Sequence, residues 1–334
     1  MAPVILPRKL ERRKGRESGR RRIVARTLLI AAVVFALPTF PHLGNRHFWI
    51  FDLACQFRVQ CFWFLASIAV ILLWMRNYRF AVVPTLFALI ELAFIAPLYI
   101  PHEPIDSEAR TARLRLLSFN VHASNREHRL VCDYVRQKSP DVAVFYEINR
   151  TWSNQLEQLS DKYPYSRVRI DPESATRGLA IYSRIPLWDT QFIELDDGNW
   201  AFKSGMIVES KSFTIFAAHA TSPTSAARTH SRNRQLKRLA ALIAAENVPV
   251  VLAGDLNTTS WSWAFQELVK TTGLCDTRQG FGVQPSWPSA LGRFGIPIDH
   301  CLVSPEIKVK RRAIGADVGS DHLPLIVDLL FKLE

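Results

Sequence analysis

The stretch Val248-Pro249-Val250-Val251-Leu252-Ala253-Gly254-Asp255-Leu256-Asn257 decides how this chain is read. Its apolar run is short, unbroken by polar alternation and closed by a glycine, which reads as a strand buried on both faces. Gly254 lets another backbone approach closely. Asp255 and Asn257, two apart on extended backbone, point the same way. A buried strand therefore delivers an acid and an amide together. Four other segments end alike: Ser118-Phe119-Asn120, Val144-Phe145-Tyr146-Glu147, Ile298-Asp299-His300 and Gly319-Ser320-Asp321-His322.

Around these segments the pattern alternates. Leu114 to Phe119, Val142 to Tyr146, Gly178 to Tyr182, Phe213 to Ala218, Asp299 to Val303 and Leu325 to Phe331 read as strands. Arg126 to Lys138 and Arg232 to Glu246 carry apolar residues on one face at helical spacing. Helices that follow single strands fit an α/β (α+β) class, with two packed sheets and helices outside.

Cleaving a phosphoester needs charge neutralised on the phosphoryl oxygens, a positioned water and a place for protons. Acids, amides and imidazoles at strand ends suit that task. The order and spacing of the five motifs resemble the endonuclease/exonuclease/phosphatase superfamily, the metal-dependent phosphoesterases related to deoxyribonuclease I. The likeness covers about residues 113–334 and implies a four-layer α-β-β-α sandwich.

It further implies a Mg2+ ion, with Mn2+ as a substitute, held by Glu147 with Asn120 and Asp321 in support. Asp255 positions or deprotonates the attacking water, and Asn257 contacts the phosphate. His322, oriented by Asp299, and His219 bind phosphoryl oxygens. A carboxylate behind an imidazole fixes its tautomer and favours the imidazolium beside an anion.

Each residue also has a plainer reading: a strand-end surface acid for Glu147, a turn residue for Asn120, an edge histidine for His219. Tyr146 departs from the family pattern, which usually has Gln before the metal-binding Glu. His122 has no assigned role, and His300, pointing away from Asp299's side of the strand, reads as structural. Trp261 and Trp263 either line the substrate entrance or pack. The substrate is a phosphate ester, of nucleic acid or of a lipid head group. The rival class is a catalytically inactive, membrane-tethered binding module of the same fold.

The N-terminal third is different material. Residues 1–104 hold 14 Lys/Arg against 5 Asp/Glu, whereas residues 105–334 hold 28 against 25. The basic excess thus belongs to the N-terminal region, and the high charge argues little for nucleic-acid binding by the globular part. Apolar blocks run from Ile23 to Phe40, Val59 to Met75 and Phe80 to Ile100. A spanning helix takes about 20 apolar residues, so about three transmembrane helices are expected, the first short enough to be a signal-peptide core instead.

The expected division is a basic cytoplasmic tail (1–26), a membrane region (27–100), a linker (101–112) and the globular domain (113–334). The basic link Arg76-Asn77-Tyr78-Arg79 and the tail share one side. The positive-inside rule makes that side cytoplasmic. The catalytic domain is then periplasmic, on the inner (plasma) membrane of a bacterium, the layout of similar bacterial members, with the lipid bilayer as a partner. His47-Phe48-Trp49 and Tyr99 are expected near the membrane interface, and Glu91 facing a neighbouring helix. Five scattered cysteines without a CxxC pair support neither a zinc ribbon nor a disulfide framework.

Overall fold

The computed structural model describes residues 8–36, 49–101 and 110–333. The first residues of the basic tail, the end of the first apolar block, His47-Phe48 and most of the linker lie outside the described residues.

Four helices come first: α1 (Arg8–Ala36), α2 (Trp49–Cys55), α3 (Arg58–Trp74) and α4 (Tyr78–Ile95), the last extended by a 3-10 turn to Tyr99. The sequences of α3 and α4 are apolar on every side, so they pack on one another and on α1 without a polar face. Small residues allow the close approach, with Ala25, Ala32 and Ala36 set among Leu65, Ile68, Leu72, Ala81 and Ala88. Arg58 and Glu91 pair at 2.7 Å between α3 and α4, both sealed from solvent. Glu91 thus faces a neighbouring helix, as expected.

The expectation of about three spans is corrected here. Among the described residues one helix, Tyr78–Tyr99, is long and apolar enough to cross a membrane. The pair α2 and α3, bent by 73° at its break, adds a second if it counts as one span. The first block falls short because it continues a helix begun among arginines, and only Thr27–Ala36 follows the last of them within that helix.

The remainder alternates as β1 (Thr111–Asn120), α5 (His128–Lys138), β2 (Val142–Tyr146), α6 (Arg150–Leu156), β3 (Tyr165–Asp171), β4 (Ser174–Ser183), β5 (Trp188–Asp196), β6 (Asn199–Val208), β7 (Lys211–His219), α7 (Ala226–Ala244), β8 (Val250–Asp255), α8 (Trp263–Thr272), β9 (Cys275–Asp276), β10 (Asp299–Val303), β11 (Ile307–Ile314) and β12 (Leu325–Lys332). Two six-stranded mixed sheets form, ordered β11-β12-β1-β2-β4-β3 and β5-β6-β7-β8-β10-β9. Inward residues such as Leu116, Val144, Met206, Ile215, Val251 and Val327 interdigitate between the sheets. Outward residues of the first sheet bury Val131, Val135 and Trp152 of α5 and α6. Those of the second bury Leu236, Leu239, Phe265 and Leu268 of α7 and α8. Ser225 and Ser262 cap α7 and α8 by accepting the backbone N–H of Arg228 and Phe265.

The pairing sets the site. Each sheet has one parallel pair, β1 with β2 and β7 with β8, and both pairs end together. Asn120 lies opposite Tyr146, just before Glu147, while His219 lies opposite Asp255. Antiparallel β10 starts where β8 stops, with Asp299 opposite Asp255.

Candidate active site

The strand ends surround one cavity of about 700 Å³, lined among others by Glu147, His219, Asp255, Asn257, Asp321 and His322. Asn120 joins the two sheets: its Nδ2 donates to Glu147 Oε1 (3.1 Å) and to Asp255 Oδ2 (2.9 Å). Asp299 lies behind the wall, with Oδ2 accepting from His322 Nδ1 at 2.9 Å. All eight residues singled out in the sequence therefore meet in one place.

Backbone strain accompanies the meeting. Glu147, Asn257 and His122 have φ of 60°, 49° and 58°, the left-handed region that non-glycine residues seldom occupy. Each leaves its strand through this sharp turn. Gly254 is needed just before Asp255, because a Cβ there would lie 2.6 Å from the Ala218 carbonyl oxygen on β7.

Asp255 is fully buried, with Oδ1 accepting the Asn257 N–H at 3.1 Å. Oδ2 lies 3.5 Å from His219 Nε2 and 3.6 Å from His322 Nε2. Burial pushes its carboxyl above the ordinary range, against the pull of His322 and His219. Burial also works against charge on His322, yet Asp299, Asp255 and Asp321 outweigh it and raise the ring to about 10. The same contact holds Asp299 below the usual carboxylate range in spite of its burial. His322 is thus an imidazolium clamped between two acids. His219 is turned by Nδ1 donating to the Thr176 carbonyl at 3.1 Å, while Asn257 Nδ2 approaches its Nε2 at 3.4 Å and donates to the Ala220 carbonyl at 2.9 Å.

Several contributors were not singled out as site residues. His122 Nδ1 sits 3.3 Å from Asp321 Oδ1 and 3.7 Å from Glu147 Oε2, bridging the two acids expected at the metal. Trp287 lines the cavity and its indole N–H donates to Asp321 Oδ2 at 2.9 Å. Ser320 Oγ donates to the Asn120 carbonyl and accepts the His322 N–H, tying the last motif to the first. Ser286 Oγ accepts the Asp299 N–H at 3.2 Å. Tyr146 lies beneath the floor, its hydroxyl 3.2 Å from Ser118 Oγ and its ring beside His219. Only His122 carried a signal in sequence, as an imidazole one residue past a motif. His300 is structural: it is buried, bonded to the Thr258 carbonyl at 2.7 Å and packed on Phe265. Trp261 does not line the entrance; it packs on Ile95, Leu98 and Val283 and donates to the Phe94 carbonyl. Trp263 packs with the α7 and α8 core.

Glu147 and Asp321 present carboxylate oxygens to the cavity, which suits a hard divalent ion, while Asn120, its Oδ1 taken by the His122 N–H and its Nδ2 turned to Glu147, supports them from behind. Asp321 Oδ1, buried there, accepts no hydrogen bond among the described residues; it has the His122 ring beside it, Nδ1 at 3.3 Å, and keeps lone-pair capacity for a cation. Asp255, Asp299 and His322 also present ligand atoms within 4.8 Å of one another. There, however, His322 Nδ1 and Asp299 Oδ2 already satisfy each other, so this trio is a hydrogen-bonded relay rather than a metal cage.

The fold recurs in solved structures. An endonuclease/exonuclease/phosphatase from Beutenbergia cavernae shares 21% identity over 66% of this chain and 72% of its own, with a TM-score of 0.56. A mannosyl-6-phosphatase of Bacteroides thetaiotaomicron shares 18% over 65% of this chain and 100% of its own, at 0.53. D. rerio TDP2, complexed with single-strand DNA product, shares 17% over 67% of this chain and 99% of its own, at 0.54. No curated protein matches the sequence significantly. The model of the endonuclease/exonuclease/phosphatase family matches residues 117–322, well over half of the chain, and the protein belongs to that family.

Proposed function

We propose that this protein is a membrane-anchored, divalent-metal-dependent hydrolase of phosphodiester or phosphomonoester bonds. The observation that carries the reading is the charge of the cavity. Glu147, Asp197, Asp255 and Asp321 face it and Asp299 stands behind, outnumbering His322, Arg177 and Arg228 around the same cavity. An anionic phosphate would be repelled there unless a cation bound first. Glu147, Asn120 and Asp321 would hold that cation, Mg2+ or Mn2+. When bound, such an ion neutralises charge on phosphoryl oxygens.

The chain's own residues do the rest. Asp255, its carboxyl raised by burial, accepts a hydrogen bond from the attacking water and orients it. Asn257 offers its amide to the phosphate. His322, kept charged by Asp299, donates through Nε2 to a phosphoryl oxygen. His219 binds from the other side: with its Nδ1–H given to the Thr176 carbonyl, Nε2 donates to a phosphoryl oxygen when the ring carries its second proton. His122 holds Glu147 and Asp321 in register.

Anchoring rests on α4, and on α3 with its bent partner. Phe35 near the end of α1 packs on Phe64, toward the end of α3 that adjoins the globular part. α1 thus runs antiparallel to α3, so its basic residues up to Arg26 lie at or beyond the end of α3 that precedes Arg76, away from the catalytic cavity. By the positive-inside rule the cavity is extracytoplasmic, on a bacterial plasma membrane. An alkaline phosphatase fusion after Ile100 should be active, and an inactive one would reverse the orientation.

The deciding experiment is hydrolysis of a soluble chromogenic phosphodiester by the full chain in detergent, with Mg2+ or Mn2+ and with chelator, beside Asp255→Ala. Turnover should need metal and vanish in the variant. A folded chain that hydrolyses no phosphate ester would be the inactive binding module.

A further inference from the structure

One wall of the catalytic cavity does not come from the sandwich. Trp49, Leu53, Gln56 and Phe57, on α2 and the break after it, line the cavity opposite His322 and Asp321. Buried polar contacts dock this segment. Asp52 Oδ2 accepts from Arg232 Nη2 at 2.6 Å, Gln56 Oε1 accepts the Thr259 N–H at 2.5 Å, and Gln56 Nε2 donates to Thr258 Oγ1 at 3.3 Å.

Behind the same segment lies a second cleft of about 570 Å³, lined by Val34, Phe35, Ala54, Phe57, Cys61 and Phe64 together with Gln60. Its one amide, on Gln60, donates through Nε2 to the Phe294 and Gly295 carbonyls at 2.7 and 3.1 Å, and its Oε1 is buried without a hydrogen-bond partner among the described residues. The other residues named present apolar surface or a thiol. Phe57, partly exposed, belongs to both spaces. An acid-lined cavity and an apolar groove meet at one ring.

We infer that the groove between α1, α2 and α3 is the acyl-chain subsite of the catalytic cavity, and that the substrate is a membrane lipid carrying a phosphate ester in its head group. The inference rests on the phosphoesterase reading above and names its substrate class. The head group passes Phe57 into the cavity while a chain stays in the groove. Water bonds to phosphorus, the P–O bond to the leaving alcohol breaks, and the water's proton is passed on as the alcohol departs protonated.

Three observations favour this occupant over nucleic acid. The groove and the cavity share a wall at Phe57. Trp63, Val70, Trp74, Leu86 and Leu89 on α3 and α4 present exposed apolar side chains, a surface that water would not tolerate at this extent. The 73° bend turns α2, and with it one wall of the cavity, away from the axis of α3 and toward the plane of a bilayer that α3 would cross. Lifting a lipid fully into water lowers its population by about fourfold for each methylene exposed; a groove level with the bilayer removes that barrier. Single-stranded nucleic acid calls for a continuous basic groove with stacking aromatics; aromatics are present in Trp49, Phe57 and Trp287, but the basic residues Arg177 and Arg228 stand among Glu147, Asp197, Asp255 and Asp321 and form no continuous basic track.

The test uses the full chain in vesicles with Mg2+ or Mn2+. Dioleoyl and dihexanoyl forms of phosphatidic acid and phosphatidylglycerol, single-stranded DNA and a soluble chromogenic phosphodiester are compared by kcat/KM. The dioleoyl lipid should exceed the dihexanoyl one at least about 100-fold. Ala54→Trp, which fills the groove, should cut that ratio at least tenfold. Phe64→Gln, which makes its wall polar, should lower it in the same direction and serves if the tryptophan variant does not fold. Equal rates for long and short chains, a ratio unchanged in both variants, or cleavage of DNA without cleavage of lipid would overturn the subsite while leaving a phosphoesterase. Failure to turn over even the soluble ester would overturn both readings.

Discussion

Replacing Asp52 by alanine tests whether α2 is part of the catalytic unit. Asp52 and Arg232 meet at 2.6 Å with side-chain exposures of 1% and 0%. The same guanidinium donates through Nη1 to the Asn257 carbonyl at 3.0 Å and through Nε to Asn233 Oδ1 at 2.8 Å. Asp52 Oδ1 accepts no hydrogen bond among the described residues, so the arginine carries the balance of this charge. Alanine removes the carboxylate and leaves a buried cation, which costs roughly 3–5 kcal/mol. At about 2–4 °C per kcal/mol for a domain of this size, the melting temperature should fall by on the order of 10 °C. Asp52→Asn keeps an oxygen for Nη2 and should fall between. The double variant Asp52→Ala with Arg232→Met replaces a pair by apolar volume and should recover most of the loss. Melting of the full chain in detergent, followed by tryptophan fluorescence, gives the stability. Hydrolysis of a soluble ester should fall in parallel, since Arg232 holds the backbone of Asn257. A loss below about 1 kcal/mol, the size of an exposed pair, with unchanged turnover, would mean that α2 is not docked on the sandwich and would refute the argument.

The other expectations concern the site and its scaffold. His322→Ala should lose roughly 10²–10⁴-fold in kcat and, because it leaves Asp299 and Asp255 buried without their cation, should also cost about 3–5 kcal/mol of stability; full activity in the folded variant would remove it from the mechanism. Mg2+ or Mn2+ at a hundred times its dissociation constant should stabilise the protein by about 2.7 kcal/mol, and Glu147→Gln should abolish that shift in calorimetry. Gly254→Ala forces a Cβ to 2.6 Å from the Ala218 carbonyl and should cost about 1–3 kcal/mol, with a larger fractional loss of turnover than of stability, because Asp255 is displaced with it. His300 is held neutral chiefly by burial, its ring lowered to about 3 from 6.5. The unfolded chain therefore binds that proton first as pH falls. Its contribution is fully present above pH 6.5 and should decline by about 1.4 kcal/mol per unit down toward pH 3, a slope that His300→Gln should flatten in denaturant titrations at several pH values.

How much was legible depended on burial. The β2 and β10 boundaries expected from sequence match those observed, because both strands are buried along their whole length and read as unbroken apolar runs. Strands β3, β5, β9 and β11 escaped notice, and so did β6. The first four are the edge strands of the two sheets, where polar and charged residues mask any alternation; β6 lies next to an edge, and Lys203, Ser204 and Gly205 interrupt its apolar pattern. The site was legible for the same reason as the central strands. Its residues follow buried runs directly, so a strand end and a functional group coincide. Ser320, Ser286 and Trp287 were not, since their roles rest on hydrogen bonds to residues that only the fold brings near: Asn120 for Ser320, Ile298 and Asp299 for Ser286, Asp321 for Trp287.

The contact that shapes the substrate entrance was the least legible of all. Asp52 is a lone acid between apolar blocks, and in sequence it reads as a solvated turn. Its partner Arg232 lies 180 residues away, in a helix whose many basic residues give no hint which one is buried. Nor does the sequence of α2 announce a bend, since Gln56 and Phe57 contain no glycine or proline. The break follows from tertiary bonds: the Gln56 side chain is spent on Thr258 and Thr259, at the base of the loop that carries Asn257. Local propensity leaves the α2–α3 junction free to be straight, and the sandwich supplies the energy that bends it. A helix held this way takes its orientation from the active site, so loosening either Asp52 or Gln56 should disturb Asn257 before it disturbs the packing of α3 on α4.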